Sequence, residues 1–218
     1  MTKDSDAPAV EPPRTRIVSA ARTLFYERGV HAVSVDQVAE TAGSNKMTLY
    51  RHFASKDLLI AEWLRSAAEY PRRKWEAIEA AHLTDPVARL HGLVDMMVEE
   101  ITNWDRGCPF SNSFAELPDP DHPGRGVIED YFRFQRDWLE RACRQAEFED
   151  PEATADALYY FIRGTTVGLA IDDAEEFAKR ERRGANAILK AAMMTARARP
   201  ATPATPRERR RRRGRPTS

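Results

Sequence analysis

Apolar residues along most of the chain recur every three or four positions, which is the period of an α-helix. The first such stripe is closed by Gly29 and consists of Ile17, Ala20, Ala21, Leu24 and Phe25. A second, shorter stripe consists of Val35, Val38, Ala39 and Ala42. No segment shows the apolar–polar alternation of a half-buried strand. The pattern therefore predicts an all-α protein.

The second stripe carries the signals that begin and end a helix. Ser34 and Gln37 form an S-x-x-Q capping box, in which each side chain covers a free amide of the first turn. Gly43 stands where a helix commonly ends in a left-handed residue. Asn45 is a residue type that caps the next helix well. The sequence thus predicts a short helix, a tight turn and a new helix.

The new helix, about 46–53, offers little to a hydrophobic core. Leu49 and Phe53 form one i, i+4 apolar pair, whereas Lys46, Thr48, Tyr50, Arg51 and His52 are left outside it. Such side chains donate hydrogen bonds to phosphates and base edges. This layout predicts a helix-turn-helix reader of DNA, and the alternative is a solvated helix in an ordinary helical domain.

Further helices are predicted over most of the remaining chain. One starts at Ser55 and runs to about residue 81, with Pro71 expected to kink or break it. Others are expected at about 85–104, 110–117, 125–146, 151–171 and 173–198, and PDPDHPG is expected to be a loop.

The segment AG-SNK-M-TLYRHF-ASKDLL resembles the recognition segment of the TetR family of bacterial transcription regulators. The matching residues are Val38, Ala39, Ala42, Gly43, Thr48, Leu49, Tyr50, His52, Phe53, Lys56 and Leu59. The specific likeness covers about 14–64, and a looser one surrounds GCPFSNSFAELPDPDHP. Ser44, Asn45 and Met47 depart from the family pattern, so the operator preference of relatives does not transfer to this chain.

The resemblance implies a role for each exposed residue of the predicted reader. Lys46, Met47 and Thr48 are expected nearest the bases, and Tyr50, Arg51 and His52 on the DNA backbone. Lys56, at a helix N-terminus, suits a phosphate. The full predicted DNA-binding set is Ser34, Asn45, Lys46, Met47, Thr48, Tyr50, Arg51, His52, Lys56, Arg213 and Arg215.

The last two of these residues belong to an arginine-rich tail. The net charge is zero, but residues 197–218 hold 9 arginines and 1 glutamate, whereas residues 66–196 hold 16 basic and 25 acidic side chains. The composition of the tail predicts disorder. Its RRGRP motif resembles an AT-hook, which lies in the minor groove of A·T-rich DNA. The alternative is nonspecific phosphate binding.

The resemblance implies a division of labour along the chain. We expect an N-terminal arm at 1–13, a three-helix helix-turn-helix domain at 14–60, a helical ligand-binding and dimerisation domain at 61–198, and the tail at 199–218. The last two helices are expected to form a four-helix dimer contact, through Leu158, Phe161, Ile162, Thr165, Leu169, Ile188, Leu189 and Ala192. The alternative for these residues is the core of a single chain.

A ligand pocket is expected among the central helices, because the family responds to small molecules. The candidates are aromatic, methionine and other apolar residues, which suit an adaptable pocket or plain core: Met97, Ile101, Trp104, Cys108, Phe110, Phe114, Tyr131, Phe134, Trp138 and Tyr160. Cys108 is also a candidate redox sensor, with a packed thiol as the alternative. Asp119, Asp121 and His122 fit an acidic loop better than a metal site.

These observations predict a homodimeric repressor that binds an inverted-repeat operator and is released by an unknown small molecule. An activator, or an architectural DNA-binding protein without a ligand, would share the same motifs. Nucleophile-elbow, zinc-protease, phosphate-loop and C-x-x-C motifs are missing, so we expect neither an enzyme nor a cofactor or metal. With no apolar run of membrane-spanning length, a cytoplasmic, nucleoid-associated bacterial protein is expected.

Overall fold

The computed structural model describes residues 11–101, 106–168 and 173–198. Within these ranges the chain forms nine α-helices and no strand, which confirms the predicted all-α class. They are α1 (Pro13–Arg28), α2 (Val35–Thr41), α3 (Lys46–His52), α4 (Lys56–Ala81), α5 (Pro86–Ile101), α6 (Pro109–Glu116), α7 (Pro123–Gln145), α8 (Pro151–Gly168) and α9 (Ala174–Ala198). None of these helices is long and apolar enough to cross a lipid bilayer.

Two features of the helices differ from the expectation. The helix α4 continues through Pro71 for 26 residues, so of the kink or break expected at this proline, the break is absent. The helix α7 begins at Pro123, inside the segment expected to be a loop. Proline suits the first turn of a helix because its missing N–H is not needed there. The Nδ1 atom of His122 accepts the Gly124 N–H at 3.0 Å and caps this start.

A first hydrophobic core holds the helix-turn-helix unit. It contains the apolar stripes of α1 and α2, Leu49 of α3 and the first half of α4, including Trp63. The same core continues into α6 and α7 through Phe110, Ile128 and Tyr131. The predicted DNA-binding unit is therefore packed directly on α6 and α7.

A second core lies farther along the molecule, among α5, α7, α8, α9 and the last turns of α4. Its centre is Trp75, whose ring meets that of Trp138 edge-on with centroids 4.9 Å apart. Leu139, Cys143 and Leu189 are completely buried in the same core. Trp75 lies toward the C-terminal end of α4, so this helix links both cores.

The predicted dimer residues of α8 and α9 face this second core, which corrects the expectation. Four of them are buried within the single chain: Leu158, Ile162, Leu189 and Ala192. Phe161 and Ile188 are half-buried against the same core. The Thr165 side chain and Leu169 lie outside the described residues. The helical period of α8 and α9 is confirmed, but the stripe with the larger side chains belongs to the core of the single chain.

Candidate nucleic-acid interface and internal cavity

The turn between α2 and α3 has the geometry that its sequence predicted. Gly43 has φ 57°, in the left-handed region that glycine adopts without steric cost. The Ser44 N–H donates to the Ala39 carbonyl at 2.9 Å and closes the end of α2. Nη1 of Arg16 donates to the Gly43 carbonyl at 3.2 Å. The turn is thereby tied to α1, and α3 leaves it in a fixed direction.

The helix α3 is held by its cap and one buried residue. Oδ1 of Asn45 accepts the Thr48 N–H at 2.9 Å, which satisfies one orphan amide of the first turn. Leu49 is fully buried, and Phe53 is buried directly after the helix. With only seven residues, α3 depends on these contacts rather than on its own helical stability.

The other side of α3 is exposed and rich in hydrogen-bond donors. Met47 is 78% exposed and Tyr50 is 44% exposed, a high degree for large side chains. Lys46, Arg51 and His52 are also exposed, whereas Thr48, a sixth predicted contact, is half-buried. Polar and basic side chains with an exposed methionine match phosphate contacts and the apolar edge of a thymine methyl.

Lys46 is paired in the isolated protein. Its Nζ atom lies 3.0 Å from Oδ2 of Asp36, on the first turn of α2. This hydrogen bond and the nearby carboxylate raise the pKa of Lys46, so the side chain stays protonated. Both side chains remain more than half exposed, so the ammonium can exchange the carboxylate for a phosphate.

The start of α4 offers a further site for an anion. Oγ of Ser55 accepts the Leu58 N–H at 3.1 Å and caps the helix. Lys56 follows it and is half-buried, and this burial lowers the pKa of its ammonium.

Ser34 forms the predicted capping box, accepting from Gln37 N at 3.2 Å and donating its own N–H to Gln37 Oε1 at 2.8 Å. The hydroxyl proton of Ser34 is thus left to donate outward. Arg213 and Arg215 lie outside the described residues.

A cavity of about 460 Å³ opens between the two cores. Its walls come from α1, α4, α5, α6, α7 and α8. Four predicted pocket residues line it: Met97, Cys108, Phe110 and Tyr131. Trp75 and Met96 also contribute to the wall.

Four other predicted pocket residues do not line this cavity, which corrects the expectation for them. Tyr160 is 69% exposed on the outer face of α8. Phe114 is partly exposed and lies under the Arg125 guanidinium. Phe134 and Trp138 pack against the ring of Trp75 without lining the cavity themselves. Aromatic composition alone does not show which side of a helix faces a cavity. The Ile101 side chain and Trp104 lie outside the described residues.

The polar part of the cavity wall was not predicted from the sequence. From α1 it includes Arg22, Thr23, Tyr26 and Glu27. From α4 and α5 it includes Lys74 and Glu100, which form an ion pair. The helical period of α1 places its polar side opposite its core stripe, and that position is normally solvated. Only the tertiary packing of α1 beside α4 reveals that part of this side bounds a cavity.

Comparison with known proteins decides between the interpretations of the helix-turn-helix. The model of the family described as bacterial regulatory proteins, tetR family, matches residues 17–63. The HTH-type transcriptional repressor KstR2 of Mycobacterium tuberculosis is 30% identical over 167 residues, which cover 75% of this chain and 82% of KstR2. The chain belongs to the TetR family. It is a DNA-binding transcription regulator.

Further comparisons support the same assignment for this TetR-family member. A TetR-family transcriptional regulator from Streptomyces coelicolor superimposes with a TM-score of 0.78 at 26% identity, covering 83% of this chain and 95% of that structure. The HTH-type transcriptional regulator UidR of Escherichia coli is 34% identical over 93 residues, 43% of either chain. The fold extends over both cores, while the UidR likeness is confined to less than half of the chain.

Cys143 and the acidic loop have structural explanations. Cys143 is completely buried, and this burial raises the pKa of its thiol to about 12. Cys108 is free, buried and part of the cavity wall. Oδ1 of Asp119 accepts the Asp121 N–H at 2.9 Å, and His122 faces Asp57. Among the residues that the structure describes, no cluster of three metal-ligating side chains occurs.

Proposed function

We propose that this TetR-family regulator is a repressor that binds an inverted-repeat operator as a homodimer and is released by a small molecule. The observation that carries the proposal is α3, which buries one leucine and presents a continuous exposed surface of cationic, polar and methionine side chains. Its relative KstR2 is named a repressor. One seven-residue helix contacts few base pairs, so a symmetric pair of readers is needed for a specific site.

In the bound complex, the first turn of α3 lies in the major groove. Met47 contacts a thymine methyl or the sugar edge, and Lys46 and Thr48 contact adjacent base edges and phosphates. Tyr50, Arg51 and His52 bind the DNA backbone. Lys56 at the N-terminus of α4 and Ser34 at the N-terminus of α2 each bind a phosphate, one on either side of α3. Asn45 caps α3 with its side-chain oxygen and directs its amide nitrogen outward.

The dimer contact that we propose is the outer face of α8 and α9, displaced by about one residue from the stripe that the sequence suggested. On α8 this face contains Ala157, Tyr160 and Gly164, and all three are exposed. On α9 it contains Ala187, Ala191 and Met194, with Met194 64% exposed. Small residues at helical spacing let two helices approach closely, and the exposed Tyr160 and Met194 supply apolar area.

This dimer contact is tested by placing one charge in it. Ala191→Asp should convert the dimer to a monomer in light scattering after size-exclusion chromatography, since two buried like charges would face each other across the two-fold axis. Ala80→Asp, at an exposed position near the end of α4, is the matched control and should remain dimeric. A dimeric Ala191→Asp protein would contradict the proposed face.

The position of the cavity supports release by a ligand. Its wall includes α1, whose opposite side holds the helix-turn-helix, and α4, whose N-terminus presents Lys56. Phe25 of α1 and Trp63 of α4 are in ring contact at 5.4 Å. A molecule between α1 and α4 therefore acts on two elements that set the position of α3. It shifts the equilibrium by its difference in affinity for the two arrangements.

The role of α3 is tested with a matched pair of arginines. Arg51 lies on the proposed interface and Arg141 on the exposed side of α7. On a duplex selected from random DNA, Arg51→Ala should weaken binding and reduce the slope of log K against log salt by about 1, because one fewer counterion is released. Arg141→Ala should change neither. Equal effects of the two substitutions would contradict the proposed orientation.

Regulatory output separates the repressor from the activator and the architectural protein. The purified regulator is added to in vitro transcription from a promoter overlapping its selected duplex. A repressor lowers transcript yield, whereas an activator raises it. An architectural protein would bend or condense DNA without an effect specific to that promoter.

A further inference from the structure

One wall of the cavity carries a chain of buried hydrogen bonds. The Arg163 guanidinium donates to Oε1 of Gln135, and Nε2 of Gln135 donates to the Tyr131 hydroxyl at 3.1 Å. Gln135 is 6% exposed and Tyr131 is 4% exposed. All three residues line the cavity, whose surface otherwise includes Trp63, Trp75 and Phe110. These hydrogen bonds thus lie beside the aromatic part of the cavity wall.

The direction of this chain follows from the chemistry of its first member. An arginine side chain has N–H donors and no acceptor. The Gln135 atom facing Arg163 must therefore be the carbonyl oxygen, which turns the amide nitrogen toward Tyr131. That nitrogen can only donate, so the Tyr131 oxygen accepts. Its own proton points away from Gln135.

The Tyr131 hydroxyl is consequently a donor that ends the chain. Among the described residues, none accepts a hydrogen bond from it. Burial raises the pKa of Tyr131, so the hydroxyl keeps its proton at every physiological pH. The ring is held in place by stacking on Phe110, with centroids 4.1 Å apart, and by the Arg72 guanidinium 5.7 Å from its centroid. A ligand that fills the cavity without offering this donor an acceptor would leave it unpaired, at a cost of about 1–3 kcal/mol.

We propose that the Tyr131 hydroxyl is the polar anchor of the effector site, and that the effector is an uncharged, largely apolar molecule carrying a carbonyl oxygen. This inference rests on the proposed role of the cavity in ligand release and specifies its ligand class. The carbonyl accepts the Tyr131 proton and completes the chain that begins at Arg163. The hydrocarbon part of the effector fills the space beside Trp63, Trp75 and Phe110.

The same wall disfavours the other ligand classes. A hydrocarbon leaves the Tyr131 donor unsatisfied. An ammonium adds donors beside a hydrogen-bond chain that begins at the Arg163 cation and already ends in a donor. Of the two wall carboxylates, Glu100 is paired with Lys74 and Glu27 is exposed.

A carboxylate loses its hydration, and two cations of the wall that could replace that hydration are already engaged: Lys74 pairs with Glu100, and Arg163 donates to Gln135. A carbonyl needs one donor, and the Tyr131 hydroxyl supplies it. The Arg163 cation at the other end of the hydrogen-bond chain polarises this donor.

The test uses four molecules of one shape: 4-cyclohexylcyclohexanone, bicyclohexyl, 4-cyclohexylcyclohexylamine and 4-cyclohexylcyclohexanecarboxylate. Each displaces the neutral dye N-phenyl-1-naphthylamine from the full-length protein. Energy transfer from the protein's tryptophans, of which Trp63 and Trp75 line the cavity, reports bound dye. We expect the ketone to bind at least about tenfold more tightly than the hydrocarbon, as one buried hydrogen bond of about 1.4 kcal/mol implies. It should also bind more tightly than the amine and the carboxylate.

Two substitutions in the hydrogen-bond chain and one control make the test specific. Tyr131→Phe removes the donor, so it should bring the ketone within about twofold of the hydrocarbon. Gln135→Glu offers the Tyr131 proton a carboxylate, and it should abolish the ketone preference although Tyr131 is intact. Tyr26→Phe is the control, because its hydroxyl lines the cavity but already donates to the Gly107 carbonyl at 3.3 Å. Its ketone preference should match that of the parent.

The outcomes separate this inference from the proposed function. If neither the dye nor any of the four molecules binds, this inference and the ligand-release part of the proposed function both fall, whereas the DNA-binding and dimer parts keep their own tests. If the dye binds but the four molecules compete equally, or Tyr131→Phe keeps the ketone preference, the hydroxyl anchor is wrong while the cavity remains a binding site. Tightest binding by the amine or by the carboxylate would likewise overturn the ligand class.

Discussion

Gly29, in the turn between α1 and α2, allows the attachment of the DNA-binding unit to α6 to be tested. Its backbone has φ 85° and ψ 159°, a region nearly exclusive to glycine, where other residues cost about 1–3 kcal/mol. A Cβ at this position would lie 2.6 Å from Oε1 of Glu116, at the end of α6. Oε2 of the same carboxylate accepts the His31 N–H at 3.2 Å. Displacing the Glu116 carboxylate would break this hydrogen bond and cost about 1 kcal/mol more. Gly29→Ala should therefore lower the free energy of unfolding by about 2–4 kcal/mol in all.

The assay is urea unfolding, combined with a melting temperature that should fall by about 2–4 °C for each kcal/mol lost. Adding Glu116→Ala to Gly29→Ala removes the steric part, so the double variant should lose less than the two single variants together. Gly126→Ala is the matched control: its Cβ would meet nothing within 4 Å on α7, and replacing a helical glycine should stabilise by about 0.5–1 kcal/mol. A Gly29→Ala protein within about 0.5 kcal/mol of the parent would mean that neither the backbone conformation of Gly29 nor its contact with Glu116 limits stability.

Three further predictions concern the cores. Leu49→Ala should lower the free energy of unfolding by about 2–5 kcal/mol and abolish operator binding, measured by urea titration and gel shift, because α3 loses its one fully buried residue. Burial raises the pKa of Glu181 from 4.5 to about 7. The folded protein therefore holds that proton more tightly than the unfolded chain, and stability should fall as pH rises through this interval. Glu181→Gln should be more stable than the parent at pH 8 but not at pH 4, and parallel melting curves would contradict this. Cys143 should resist iodoacetamide at pH 8 until the protein unfolds, which mass spectrometry of native and urea-treated protein will show; rapid native labelling would place it outside the core.

The helix-turn-helix was predictable because its signals are local. Ser34, Asn45 and Gly43 act on backbone groups within a few residues, so their roles follow from spacing alone, and the structure has each of them as expected. The boundaries of α6 and α9 were within one residue of the prediction for the same reason.

The faces of α8 and α9 could not be assigned from the sequence. Leu158 and Leu189 belong to a stripe that suits a core or a dimer contact equally, since both surfaces are apolar with the same period. The exposed stripe is rich in alanine, and alanine is compatible with a core, a contact or solvent. Only the packing of these helices on α5 and α7 distinguishes the two faces.

The cavity was predictable only in part for a related reason. Phe110 and Tyr131 were identified by their aromatic character, but Tyr160 has the same character and points outward. Gln135 and Arg163 were not predicted, because hydrogen bonds between buried polar side chains of two helices leave no periodic signal in the sequence. These hydrogen bonds depend on the close packing of α7 against α8.

Selection of binding sites from random duplex DNA by the purified full-length protein shows whether two recognition helices read an operator as a symmetric pair. We expect enrichment of two inverted half-sites whose centres lie about one helical turn, or a multiple of it, apart. Tyr50→Ala should remain folded and dimeric yet bind the enriched duplex at least about tenfold more weakly, the loss expected of one backbone contact of about 1.4 kcal/mol. Enrichment of no sequence, of a single unrepeated half-site, or undiminished binding by Tyr50→Ala would contradict this expectation.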